Sequence, residues 1–515
     1  MAGIRHPILS IAGGASLMSD NSQAVESEID VLVVGAGISG IDVAYHLKKR
    51  CPDHSFIIAE ARDRIGGTWD LFRYPGIRSD SDMHTLGLPF RPWRGENAIV
   101  DGPAIRDYLE DTARAFGIDR HIRFGQRVVS ADWDSEACRW NVTLDAAGEE
   151  RVMRAKYVYW GSGYYSYAEG YTPQLAGLSD FAGPVIHPQF WPEDQQIEGK
   201  TIVVIGSGAT AITLVPALAE RGAQVVMLQR SPTYVVSRDP KDRIANRLHG
   251  LLPAKVAGRL IRWKNVAYSM ATYGLARSKP EKVKQAILKG VGERISDARV
   301  VEQHFTPDYA PWDQRICLVP DGDLFEAIEA GKAEVVTGRI ERFEADGIRL
   351  RSGRVLKCDI AVTATGLKLE LFGGARLTVD GEPIDMTRRT LYRGMLISGV
   401  PNMALAFGYV NASWTLKCDL TARNFCRLLN ESARQGDAAF VVPETAPHGS
   451  RKPMIALDAG YVRRAADILP MQGSHGGWQV RTNVARDTMD YHFSPIEKSE
   501  VEFRASSAPT KGASQ

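Results

Sequence analysis

Apolar positions along the chain fall into two strand–helix–strand units of similar layout. Asp30 to Val34 is a short β-branched run, residues 41 to 50 carry apolar positions at helical spacing, and Ser55 to Ala59 is a second apolar run. Together they predict a βαβ unit of about 30 residues. The pattern returns at Thr201 to Ile205, continues as a helix to about Glu220, and closes with a strand from Gln224 to Leu228. Between the units, residues 104 to 116 read as a helix. The stretches around Ile122 to Val129 and Trp140 to Leu144 read as an antiparallel meander, and Tyr157 to Gly161 reads as a buried strand closing the first segment. From about Lys241 to Gln303 the period is helical. Val256, Leu260, Trp263, Ala267 and Met270 form one stripe, expected to pack as core of an insertion on the second unit. After Val336 a hairpin-like stretch leads to Asp359 to Ala364, read as a strand returning to the first domain through Thr365-Gly366.

Each strand-to-helix turn in these units is rich in small residues: Gly35-Ala36-Gly37-Ile38-Ser39-Gly40 in the first, Gly206-Ser207-Gly208-Ala209-Thr210-Ala211 in the second. A pyrophosphate needs backbone N–H groups at a helix N-terminus with no side chain in the way, which such turns supply. One such hexapeptide is weak evidence, whereas two in matching strand–turn–helix context predict two dinucleotides.

The residues closing the second strands separate the ligands. Glu60 ends the first unit, where a carboxylate accepts ribose hydroxyls and repels a 2′-phosphate. Arg230 and Ser231 end the second, where they can pair with a 2′-phosphate. FAD is therefore expected in the first unit and NADPH in the second. The competing readings are a solvated strand end for Glu60 and a surface salt bridge for Arg230.

Composition adds exclusions. With 515 residues, 44% hydrophobic, 24% charged and a net charge of +2, the chain holds several domains and shows no overall field that would recruit nucleic acid or anionic membrane. The six cysteines lack C-x-x-C spacing, which argues against a disulfide framework or a zinc site, and no metal site is expected. The same scatter of cysteines points to a reducing cytoplasm, and no apolar run is long enough to span a bilayer. A disulfide reductase also pairs FAD with a nicotinamide, but it needs two close cysteines soon after the first unit, and none lies between Cys51 and Cys138.

Two longer motifs carry a family resemblance. Gly66-Gly67-Thr68-Trp69, Tyr74-Pro75-Gly76 and Asp80 fit G-G-x-W-x-x-x-x-Y-P-G-x-x-x-D, and Phe181 to Pro192 fits F-x-G-x-x-x-H-x-x-x-W-P with His187 and Trp191 in place. The chain resembles the type I Baeyer-Villiger monooxygenases, a group of class B flavoprotein monooxygenases, from about residue 29 to 490. Trp69 to Asp80 and Trp312-Asp313-Gln314-Arg315 look most like the ethionamide-activating branch.

The resemblance implies an α/β fold of two Rossmann-like dinucleotide-binding domains with a helical insertion. The expected order is a flexible leader (1–28), a first FAD segment (29–180), an NADP domain (181–340) with the insertion at about 241–303, a second FAD segment (341–445), and a C-terminal segment (446–515) with a disordered tail. It also implies oxidation of NADPH, formation of a C4a-peroxyflavin, and conversion of ketones to esters or lactones, with sulfides as further substrates. Heteroatom oxidation, hydroxylation of long-chain alkanes or ketones, and a redox flavoprotein that does not oxygenate remain as alternatives.

By resemblance, Arg315 lies over the flavin and Asp80 holds it, against the reading of a structural salt bridge. Gly67, Thr68, Trp69, Val128 and Gly366 join the cofactor-binding residues. The family commonly has Lys before this arginine, and here it is Gln314, so discrimination of the 2′-phosphate is expected to rest on Arg230 and Ser231 alone. Glu193 stands where Asp or His is commoner. His187 is expected to act as a linker or hinge. Trp478, among glycines from Gly473 onward, is either part of a loop folding over the nicotinamide or a packed Trp in a surface loop.

Overall fold

The computed structural model describes residues 25–445, 451–455, 457, 459–496 and 499–505. The leader expected at 1–28 falls mostly outside them, but strand Val25–Val34 begins earlier than the β-branched run alone suggested. Ser27 to Val34 pair in parallel with Met153 to Trp160, and that pairing extends the strand back. The tail after Ala505 also lies outside the described residues.

The first sheet is built on Val25–Val34. On one side it pairs with Phe56–Ala59 and on the other with Glu149–Trp160. The meander Gln126–Asp134, Arg139–Ala146 and Glu149–Trp160 continues it in antiparallel fashion, and Met403–Leu405 adds in parallel at Val158 to Trp160. Val31, Leu32 and Val33 have no exposed surface, because both faces of a parallel strand are covered. Helices Ile38–Arg50 and Trp414–Arg434 pack on one another against this sheet through Ile41, Ala44, Cys418 and Phe425. Helix Gly102–Ala115 starts where the Asp101 carboxylate accepts from the Ala104 N–H at 2.9 Å, a side-chain cap that matches the helix read there.

The second sheet is wholly parallel, in the order Ala333–Thr337, Gln224–Gln229, Thr201–Ile205, Ile360–Thr363 and Val185–Ile186. This corrects one expectation. Strand Ile360–Thr363 does not return to the first domain but completes the second sheet between two of its strands. A short apolar run fixes that a strand is buried, not which sheet it enters. The chain crosses afterwards, at Thr365-Gly366, and Leu367–Leu369 pairs with Tyr165–Gly170 beside the first unit.

Four helices, Arg243–Leu251, Ala254–Ser278, Pro280–Gly292 and Ala298–Phe305, fill the expected insertion. The stripe on the long helix is a second correction. Val256, Leu260 and Trp263 are 43–50% exposed, and the buried side instead carries Ala257, Ile261, Asn265 and Val266. No helix among the described residues is long and apolar enough to cross a membrane.

Candidate active site

Both glycine turns open into one cavity of about 1300 Å³. In the first, Gly35 adopts φ +96° and donates its N–H to the Ala59 carbonyl at 2.8 Å. A β-carbon on Gly40 would lie 1.9 Å from the Gly35 carbonyl oxygen, so only glycine lets the helix approach the strand this closely. Gly40 is thus a packing residue and does not line the cavity. In the second turn, a β-carbon on Gly206, at φ +141°, would lie 2.3 Å from the Ala364 carbonyl oxygen. Ala211 holds the place of the third glycine, fully buried and away from the cavity.

Gly208 differs from the packing glycines, since a β-carbon there would meet nothing within 4 Å. Helices Ile38–Arg50 and Ala209–Glu220 start with no side-chain cap and no acidic residue in the first turn. Their first N–H groups therefore face the cavity without an internal anion, the arrangement a pyrophosphate needs. Gly37, Ser39, Ser207, Ala209 and Thr210 line the cavity beside them. Gly66-Gly67 folds back on the first turn, and a β-carbon on Gly67 would lie 3.1 Å from the α-carbon of Gly37. The Thr68 hydroxyl oxygen accepts from Tyr165 at 2.5 Å, and Thr68 and Trp69 both line the wall.

Glu60 is 5% exposed, and each of its carboxylate oxygens accepts a backbone N–H, from Ala36 at 2.6 Å and from Arg62 at 2.9 Å. Burial raises its pKa, while the two N–H donors and Arg62 oppose the rise. A fixed acceptor at the strand end fits ribose hydroxyls better than a solvated carboxylate does. The Gln126 N–H donates to the Glu60 carbonyl, which brings Val128 to the same end of the cavity.

Arg230 and Ser231 line the cavity, as expected, but they are not alone. Arg339 and Arg351, joined by a backbone hydrogen bond of 2.9 Å, line it beside Gly338. None of these three arginines has a carboxylate within 4 Å among the described residues. Arg339 and Arg351 thus stand beside Arg230 and Ser231 as further candidates for a 2′-phosphate. Arg339 follows strand Ala333–Thr337 of the second sheet and Arg351 follows strand Gly347–Leu350 of a small antiparallel sheet, and only the folded chain brings the two to the cavity.

Arg315 reaches Asp80 from the other domain. One guanidinium nitrogen lies 3.0 Å from Oδ1 and 2.9 Å from Oδ2, and both residues line the cavity beside Gln314. The Asp80 charge raises the arginine pKa still further, against desolvation, so the guanidinium stays charged. Tyr164 and Tyr461 stand nearby. Burial pushes the Tyr164 phenol up to about 12 and raises that of Tyr461, so both are neutral hydrogen-bond donors at neutral pH. Tyr164 stacks on Trp414 at 4.9 Å between ring centroids, and the Trp414 indole N–H donates to Ser39 at 3.3 Å. This aromatic wall was missed in the sequence, where Tyr164 and Trp414 look like core.

The linking segments are also specific. The His187 ring donates to the Gly366 carbonyl at 3.3 Å and accepts the Gln189 N–H at 3.2 Å. A β-carbon on Gly170 would run into that ring, so the glycine there makes room for the histidine. His187 thus ties the crossing at Gly366, which itself lines the cavity, and takes no place in the cavity wall. Arg73 bridges Asp70 at 3.1 Å and Glu193 at 2.7 Å, joining the two motif segments. Trp478 does not cover the site. It is 3% exposed, its N–H donates to Glu500 at 2.6 Å, and it packs edge-on against Tyr392. Of the two readings of Trp478, the structure has the packed Trp; among the described residues after 445, those that reach the cavity are Ala459, Gly460, Tyr461 and Arg464.

Two dinucleotide turns emptying into one cavity, with a charged pair between them, define a two-domain flavoprotein oxidoreductase. Residues 97–296 match the flavin-binding monooxygenase-like family, and residues 33–95 match a NAD(P)-binding Rossmann-like domain. The chain is 51% identical over 482 residues to the FAD-containing monooxygenase EthA of Mycobacterium tuberculosis, covering 93% of this chain and 99% of that one. It is 44% identical over 471 residues to the probable FAD-binding monooxygenase AlmA of Acinetobacter baylyi, covering 90% of this chain and 93% of that one. Among solved structures, an oxidized steroid monooxygenase bound to NADP matches with a TM-score of 0.73 and 23% identity over 93% of this chain and 99% of that one. The chain belongs to the FAD-containing monooxygenases.

Proposed function

We propose that this protein is an NADPH- and oxygen-dependent monooxygenase of the Baeyer-Villiger type. Ketone, NADPH, a proton and O₂ give an ester or lactone, NADP⁺ and water. The observation that carries the reading is the Asp80-held Arg315 in the cavity shared by the two turns. Bound FAD, reduced by NADPH, supplies the activation of oxygen. The FAD pyrophosphate is assigned to the N–H groups after Gly35 and its ribose to Glu60. The NADPH pyrophosphate is assigned to the turn at Gly206 to Thr210, and its 2′-phosphate to Arg230, Ser231, Arg339 and Arg351.

What the chain contributes to chemistry is a fixed positive charge on the wall of the shared cavity. A ketone carbonyl under attack gathers negative charge on its oxygen, and a preorganised guanidinium stabilises it without rearranging at the moment of reaction. Asp80 keeps the charge oriented. Trp414, Tyr164, Tyr461 and Trp69 give the substrate side an aromatic wall suited to an apolar ketone. The same cavity admits thioethers, which would leave as sulfoxides. The six cysteines are free and buried, which supports a cytoplasmic setting. The test is a chain-length series of ketones, with matched thioethers in parallel, incubated with NADPH under ¹⁸O₂ and analysed by mass spectrometry. One labelled oxygen in an ester supports the reading, and label only in sulfoxides moves the enzyme to heteroatom oxidation.

A further inference from the structure

The net charge of +2 hides a strong local asymmetry. From Arg243 to Pro280 there are eight Lys or Arg residues and no Asp or Glu. Two helices, Arg243–Leu251 and Ala254–Ser278, span this stretch and pack on one another through Ala245, Ala257 and Ile261. Their outer faces are apolar. Ile244 and Leu251 are 59% and 72% exposed on the first helix, and Val256, Leu260 and Trp263 are 49%, 50% and 43% exposed at i, i+4 and i+7 on the second. Seven of the thirteen exposed large hydrophobic residues among those described lie between Ile244 and Leu275. Exposed Arg247, Lys255 and Arg259 fringe these faces and have no carboxylate within 4 Å among the described residues.

The hairpin is firmly seated, so this exposure is not that of a loosely placed helix. Arg262 donates to the Gly87 carbonyl at 2.6 Å, Asn265 to Asp82 at 2.9 Å, and Lys264 pairs with Asp242 at 2.5 Å. On its inner side Val266 and Met270 pack with Tyr409 and Ala412, and the latter two line the active-site cavity. The long helix therefore has one side toward the site and the other, apolar and basic, toward solvent.

We propose that this helical hairpin seats the protein on the surface of an anionic lipid bilayer, with its axis in the headgroup plane. An interfacial helix needs an apolar face, here with an aromatic residue, and a cationic fringe that meets lipid phosphates. A second copy of the chain is a poorer occupant. Twofold pairing of this face would bring Arg247, Lys255 and Arg259 against the same cations, with no acidic residue in the stretch to compensate. Docking here would set the cavity beside the bilayer, where apolar substrates concentrate. The surface argument stands independently of the reaction proposed above.

The test is flotation of the full-length flavoprotein with vesicles of phosphatidylcholine alone and of an equal mixture with phosphatidylglycerol, read by flavin absorbance. The protein is expected to float with the anionic vesicles and not with the neutral ones, and to be released by high salt. Two double variants, Leu260→Ser with Trp263→Ser and Arg247→Glu with Arg259→Glu, are each expected to bind about tenfold more weakly while keeping full flavin content. Absence of wild-type binding to the anionic vesicles overturns the proposal, as does a loss confined to one of the two variants. Sedimentation velocity covers the remaining case: a dimer abolished by the apolar double variant, without vesicle binding, assigns the face to a second copy and overturns the proposal too.

Discussion

A single guanidinium nitrogen of Arg315 lies within 3.0 Å of both carboxylate oxygens of Asp80. The remaining donors of the guanidinium are left for the cavity. Removing the carboxylate leaves the charge in place but free to rotate. Asp80→Ala is therefore expected to lower the oxygenation rate by about 10-fold to 100-fold with flavin content unchanged, and Asp80→Asn by less, because the amide can still accept one N–H. Steady-state rates with product quantification check this, and an Asp80→Ala enzyme as fast as wild type removes the pair from the chemistry.

The two kinds of glycine in the second turn separate packing from ligand binding. Gly206→Ala drives a β-carbon to within 2.3 Å of a carbonyl oxygen and is expected to damage folding of the second sheet. Gly208→Ala meets no protein atom within 4 Å, at a φ of −78° that alanine adopts freely. It is expected to leave the melting temperature and flavin content unchanged and to raise the KM for NADPH by at least about tenfold, by filling the space assigned to the pyrophosphate. An unchanged KM would place the dinucleotide elsewhere.

Discrimination of NADPH from NADH is expected to be shared. Arg230→Ala raises the KM for NADPH by about 10-fold, at the low end for a charge-assisted contact, because Arg339 and Arg351 face the same end of the cavity. A double variant of Arg230 and Arg339 is expected to lose about 100-fold, with little change for NADH. Equal losses for both cofactors contradict the assignment.

His187 gives a pH signature. Burial lowers its pKa below 6.5, and its second ring nitrogen accepts the Gln189 N–H, so protonation sets N–H against N–H. The unfolded chain then binds the proton more readily. The stability this group contributes is complete above 6.5 and is lost as pH falls through the lower, folded value. Melting temperatures measured from neutral to mildly acidic pH are expected to fall less steeply for His187→Gln than for wild type, even though the variant starts lower. Parallel curves would show that His187 does not carry this dependence.

The sequence revealed most where the backbone itself is constrained. The turns at Gly35 and Gly206 demand glycine for close approach and positive φ, and those demands are written locally. Glu60 and Arg230 follow from their fixed distance along a βαβ unit. The Asp80–Arg315 pair spans 235 residues and was legible only through motif resemblance. Tyr164, Trp414 and Tyr461 were not legible, because a buried aromatic that lines a cavity has the same pattern as one in the core. The same ambiguity misplaced strand Ile360–Thr363 and buried the stripe at Val256, Leu260 and Trp263. Periodicity defines a face but not what covers it. Trp478 stayed undecided in the sequence for a related reason, since glycines around an aromatic describe a packed turn as well as a lid.

The central claim is that one charge, Arg315, separates oxygen transfer from mere oxidation of NADPH. The direct measurement is coupling in Arg315→Ala: NADPH consumed, hydrogen peroxide released and labelled ester formed from ¹⁸O₂, in enzyme shown to hold full flavin. The account predicts retained flavin, ester below detection, and hydrogen peroxide equal to the NADPH consumed. Ester formation at the wild-type rate would contradict it.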